Sequence, residues 1–208
     1  MGTRHMIGVV KDGIPRIAQY GQWDGYPSGQ GVSVLKFLQS NKLESLKKNV
    51  GKCFFLTEPE YKALWFNGFG IDIDVEHFVK SETSEKFYKA YPQFSRNMGS
   101  DILHFVADST KEEIALLDNY NFAYDSLFCE WAYVIDFDKN TFEVYEGFNK
   151  TPLSEDERFC QDKPKERAEG VENEYYPVKL KAEFKLSKLP TEDEFLKICE
   201  PEEEEEAS

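Results

Sequence analysis

The stretch from Phe128 to Phe148 constrains the fold most. FCEWAYVIDF alternates apolar and mixed residues, DKNT supplies turn chemistry, and FEVYEGF returns, which is the pattern of a β-hairpin. On the first arm Phe128, Glu130, Ala132, Val134 and Asp136 share one face. Cys129, Trp131, Tyr133, Ile135 and Phe137 share the other. The second face must meet a core, so Glu130 is expected to point away from it.

Other segments fit the same architecture. His5–Val10 is β-rich, Lys11-Asp12-Gly13 is a turn, and Ile14–Tyr20 returns as a second hairpin strand. In Tyr175–Leu186, apolar residues alternate with Lys and Glu, a further strand. Val32–Ser40 has helical spacing through Val34, Leu35 and Leu38, continued in a second piece by Leu43, Leu46 and Val50. Thr57 and Thr191 are N-cap residues with acids just after them. Ser84–Tyr91 reads as a short helix stopped by Pro92, and Gly99–Ala107 as a buried run. Ser109 and Glu112 fit a capping box, which predicts a helix reaching Leu117. Phe69–Val75 alternates, which predicts a strand with Asp72 and Asp74 on one face; that pair either holds a cation or keeps an edge strand in solution.

The expectation is one α+β domain over residues 1–200. Its antiparallel sheet holds His5–Val10, Pro15–Tyr20, Trp131–Phe137, Phe142–Glu146 and Val178–Leu186, with helices packed on it. The polar segment 151–174 reads as a mobile loop, and the acidic tail 201–208 as disordered.

Charge and cysteine usage narrow the function. The net charge is −14, with no basic patch, so a direct nucleic-acid partner is not expected. No apolar run is long enough to span a membrane. No secretion signal is read at the start, and the four cysteines are widely spaced without a Cys/His cluster. The expectation is a cytoplasmic protein with reduced thiols, no metal and no cofactor.

The segment Gln19–Gly31, QYGQWDGYPSGQG, suits neither helix nor strand. Its glycines permit close approach of backbone, and they run into the Val32 helix. They either shape a tight connection or offer N–H groups to an anion. The candidate ligand-binding residues are Arg4, His5, Tyr20, Gln22, Trp23, Asp24 and Tyr26. Trp23 and Tyr26 could stack on a flat ligand while Gln22 and Asp24 read its edge. Alternatively, the two aromatics pin the loop and Asp24 caps a turn. Two nucleophile arrangements are weaker. Thr3 invites comparison with N-terminal-nucleophile hydrolases, yet removal of Met1 would expose Gly2. A Cys129–His5 pair would place its thiol on the core-facing side of a strand.

The block MGTRHMIGVVKDGIPRIAQYGQWDGYPSGQG, together with LFCEWAYVIDFD, resembles a family of uncharacterised proteins from bacteriophages and fungi. The resemblance covers about half of the chain. It implies a phage-infected bacterial cell as the setting and assigns no catalytic residue. The functional expectation is an accessory protein with a ligand-binding or hydrolytic site at Gln19–Gly31. The alternative is an acidic, non-enzymatic protein that docks on a basic host protein and inhibits it. A ligand site requires a pocket beside Asp24; a docking protein requires a flat acidic face.

Overall fold

The structure is a computed structural model that describes residues 2–75, 79–160 and 174–200. Strands β1 (His5–Lys11) and β2 (Ile14–Gly21) form a hairpin. Asp12 and Gly13 at its turn both have positive φ, 59° and 73°, the geometry that Asp-Gly favours and that matches strand twist. A π-helical turn at Pro27–Gly31 leads into α1 (Val32–Leu38), and α2 (Leu43–Asn49) follows. β3 (Cys53–Phe55) precedes α3 (Glu58–Phe69), where Thr57 and Glu60 form the capping box. α4 (Ser81–Ala90) stops before Pro92, and α5 (Asp101–Ala107) is buried through Ile102, Leu103 and Val106. β4 (Ile114–Leu116) is followed by a helical turn at Tyr120–Tyr124. β5 (Trp131–Asp136) and β6 (Thr141–Glu146) are the second hairpin, and β7 (Lys179–Lys185) and α6 (Glu192–Cys199) complete the chain.

The five-stranded sheet has the order β2-β1-β5-β6-β7, and β3 and β4 form a separate two-stranded sheet. The chain is a single α+β domain with a mostly antiparallel sheet. β1 and β5 pair in parallel, so the two hairpins lie side by side with both turns at one end. The Asp138 carboxylate ties those turns together, accepting the N–H groups of Asp12 and Gly13 at 3.0 and 2.8 Å.

One face of the sheet carries the larger core. Ile7, Val9, Tyr133, Ile135, Phe142 and Val144 pack there under α1, α2, α5 and α6. Asn49 fastens α2 to the end of α5, donating to the carbonyls of Val106 and Ala107. The other face is buried as well: Met6, Val10, Ala132, Val134 and Tyr145 lie under Tyr120, Tyr124 and Phe159. The sheet is therefore a middle layer, and β5 has no solvated face. Cys129, two residues before β5 begins, packs in this second cluster and not on the Tyr133 face where alternation would put it, because it precedes the strand. Glu130 does leave the core, and its carboxylate accepts the Arg4 backbone N–H at 3.2 Å.

Two further local expectations change. Ile114–Leu116 is a strand, not the end of a helix, because it pairs in parallel with Cys53–Phe55 and buries Ile114 and Leu116. Phe69–Val75 forms no strand. α3 ends at Gly70 (φ 67°), the Asp72 carboxylate accepts the Asp74 N–H at 3.1 Å in a turn, and Asp74 pairs with Lys62 at 2.7 Å. In the segment expected to be mobile, Arg158 and Phe159 are packed on the sheet. Residues 161–173 of that segment and the tail 201–208 lie outside the described residues.

Candidate ligand-binding site

The Gln19–Gly31 loop is fixed by its own backbone and by a segment far away in sequence. The Asp24 carbonyl accepts the Gln30 N–H at 2.9 Å, and the Tyr26 carbonyl accepts those of Gly29 and Gly31. Tyr26 is extended (φ −57°, ψ 156°), as a residue before proline should be. The Gly25 N–H donates to the Thr3 carbonyl at 3.0 Å, and the buried Tyr133 hydroxyl donates to the Gly25 carbonyl at 2.8 Å. Residues 95–100 then line the loop's outer edge. The Gln22 N–H donates to the Arg96 carbonyl, the Trp23 indole to Asn97 Oδ1, and the Ser100 N–H to Gln30 Oε1, all at 2.8–3.0 Å.

Between loop and segment lies a cavity of about 220 Å³, lined by His5, Trp23, Asp24, Gln30, Arg96, Asn97 and Gly99. His5 is its floor. The imidazole is 1 % exposed, and neither ring nitrogen has a hydrogen-bond partner. Burial pushes its pKa down to about 4, so the ring is neutral at pH 7. The Thr3 backbone lies near enough to oppose this slightly, though not in hydrogen-bonding geometry. Two glycines make room for the ring. A Cβ on Gly21, the cross-strand partner of His5, would stand 2.1 Å from Cε1, and one on Gly25 would stand 3.1 Å from Nδ1.

Above the floor the groups differ in kind. Asp24 holds φ 55°, the left-handed region that Asp tolerates better than most side chains. Its side chain and that of Arg96 are both exposed. Gln30 and Asn97 each spend their amide oxygen within the protein, which leaves the amide N–H₂ groups as donors. Trp23 is about half exposed and packs one side against Gly2.

Of the seven expected residues, His5, Trp23 and Asp24 meet at this cavity. The other four are placed outside its lining. Tyr20 donates to Gln22 Oε1 at 2.6 Å and packs edge-on against Phe122. Arg4 stands over the Phe128 ring at 4.6 Å and 3.9 Å from Glu130. Tyr26 is half exposed beside its turn. Arg96, Asn97 and Gly99 also line the cavity and were not expected from the sequence, where the one local signal is a glycine, whose φ in the structure is 49°.

The glycine-rich entry to α1 already holds an anion, since Glu200 accepts the Ser28 N–H at 3.0 Å. Cys129 lies on the opposite side of the sheet from His5, and burial raises its pKa far above the usual thiol range. It is no partner for His5. Two larger concavities, beside His104 and beside Lys150, Lys179 and Lys181, are more open and contain no buried unpartnered polar atom. Among the described residues no three His, Cys, Asp or Glu side chains converge as metal ligands, and no helix is long and apolar enough to cross a membrane. No protein-family model, no curated protein and no solved structure matches this chain.

Proposed function

We propose that this chain binds a small polar molecule in the cavity between the Gln19–Gly31 loop and Arg96–Gly99. One observation carries the reading: His5 is buried at the cavity floor with both nitrogens unpartnered. Leaving a buried polar group unsatisfied costs about 1–3 kcal/mol, and native interiors rarely accept that. A ligand seated in the cavity that draws the ring toward it and gives a nitrogen a partner lowers that cost.

The lining favours binding over hydrolysis, because none of its side chains carries a hydroxyl or thiol nucleophile. Thr3 is buried, with its carbonyl engaged by Gly25. The cavity beside Asp24 supports this reading over a flat acidic docking face. In this reading the chain works in the cytoplasm of a phage-infected bacterium, takes no nucleic acid, and presents the acidic surface only as a solubilising exterior. The test is an NMR titration of histidine-labelled protein with a panel of amino acids, nucleobases and dicarboxylates. A saturable shift of the His5 ring resonances supports the reading; a ring that no panel member moves overturns it.

A further inference from the structure

Resting on that reading, we infer that the ligand is a zwitterion: a free α-amino acid with a small neutral polar side chain. The cavity presents one cation and one anion, Arg96 and Asp24, and neither has an ion-pair partner among the described residues. They line the same cavity, yet they do not reach each other within ion-pair distance. A ligand with only a carboxylate would meet Arg96 but be repelled by Asp24. A ligand with only an amine would face the reverse. A compound bearing both charges satisfies both groups.

Size and hydrogen-bonding capacity agree with this class. The cavity holds about seven water volumes, below the range of larger cofactors. Arg96 suits a carboxylate because its planar fork donates two parallel bonds, and the Asn97 amide adds a donor beside it. Asp24 accepts from the amine. Beneath them, the neutral His5 ring carries one donor and one acceptor, the complement of a hydroxyl or carboxamide side chain once the ring turns toward the cavity. An aliphatic side chain would leave the buried imidazole unsatisfied.

The experiment is calorimetry on the full chain, run beside the His5 titration. The probes are L-serine, L-asparagine and L-glutamine, each with its N-acetyl derivative, its α-amide, and L-valine as the aliphatic control. For the wild-type chain one of the three amino acids should bind saturably, with valine and both derivatives weaker by about tenfold or more. Asp24→Asn should remove the discrimination against the N-acetyl form alone, and Arg96→Gln the discrimination against the α-amide alone. Both side chains are exposed, and melting curves confirm that each variant folds. An N-acetyl form or α-amide that binds the wild-type chain as tightly as its parent overturns the inference. If nucleobases or dicarboxylates move the His5 resonances and amino acids do not, the zwitterion falls while the cavity stands. If nothing moves them, both readings fall.

Discussion

The two faces of the five-stranded sheet hold buried polar side chains on opposite terms. On one face Asp136 and Glu143 lie beneath Arg158. The guanidinium donates to Glu143 through two nitrogens at 2.7 and 2.9 Å and also bonds Asp136. The Tyr145 and Thr141 hydroxyls donate to Glu143, and the backbone N–H groups of Asp138 and Lys139 donate to Asp136. On the other face His5 is as deeply buried and has no partner. A saturated network needs nothing more and reads as structure. An unsaturated group at the floor of a cavity reads as a place left for something else.

The largest expected effect comes from breaking the saturated face. Arg158→Met leaves two carboxylates buried together without a counter-charge, which costs about 3–5 kcal/mol. For a chain of this size that lowers the melting temperature by roughly 10 °C. Adding Asp136→Asn and Glu143→Gln should recover much of the loss, since no uncompensated charge then remains. The two proteins should also respond to acid in opposite ways. Burial disfavours the charge on Asp136 and Glu143, but their hydrogen bonds and Arg158 outweigh it and hold both pKa values below the ordinary range. The wild-type contribution is therefore present above about pH 4 and lost as pH falls through the depressed values. Without Arg158 the pair prefers protonation, and mild acid should stabilise the variant. A variant that melts within a degree or two of wild type would show that this network is not what holds Arg158 and Phe159 on the sheet.

His5 gives the next effect, and it appears in another pH window. Its pKa is about 4 in the fold against about 6.5 unfolded, so the unfolded chain binds the extra proton between those values. Stability should fall as pH drops from about 6.5 to 4, by about 3 kcal/mol in total. His5→Leu should flatten that slope while leaving stability at pH 7.5 within about 1 kcal/mol of wild type, because it removes two unpaired nitrogens. Chemical denaturation at pH 7.5, 6 and 5 measures both. A slope that persists in His5→Leu would assign it to another group.

A smaller loss follows from filling the room made for the ring. The new methyl of Gly21→Ala would lie 2.1 Å from Cε1 and 2.2 Å from Nε2 of His5, so the imidazole must move. Overpacking of this kind costs about 1–3 kcal/mol. In combination with His5→Leu the cost should change, since the two sites are in contact. Additive melting temperatures would mean that the ring is not seated on Gly21.

These contrasts also explain what was legible in the sequence. The hairpins β1–β2 and β5–β6 were readable because alternation and turn residues are local. β4 was not. Ser109 and Glu112 imitate a capping box, whereas the pairing that makes Ile114–Leu116 a strand comes from Cys53–Phe55, far away in sequence. The Asp72/Asp74 alternation reads as a strand because period two does not distinguish a strand from a turn in which one Asp caps the next. His5, Trp23 and Asp24, which the sequence singles out, do line one cavity, because β1 runs beneath the loop that follows its hairpin. Arg96 was not, because its position beside the loop is set by main-chain bonds from Gln22 and side-chain bonds from Trp23 and Gln30. Nor did the polar composition around Arg158 reveal that the residue is an anchor.

The smallest expected change in stability is the sharpest test of the contrast. Asp24→Asn keeps the size and the left-handed tolerance that φ 55° demands. The bond that Asp24 makes to Gln30 uses its carbonyl, which the substitution does not alter. Stability should therefore stay within about 1 kcal/mol of wild type, a shift in melting temperature of roughly 2–4 °C at most. Ligand-induced shifts of His5 should nevertheless weaken, because the carboxylate at the cavity is gone. A paired measurement of melting and titration separates the cases. If melting falls by much more while the titration is unchanged, Asp24 belongs with Arg158 as a structural group. If the titration is lost at constant melting temperature, the unsaturated face is the functional one.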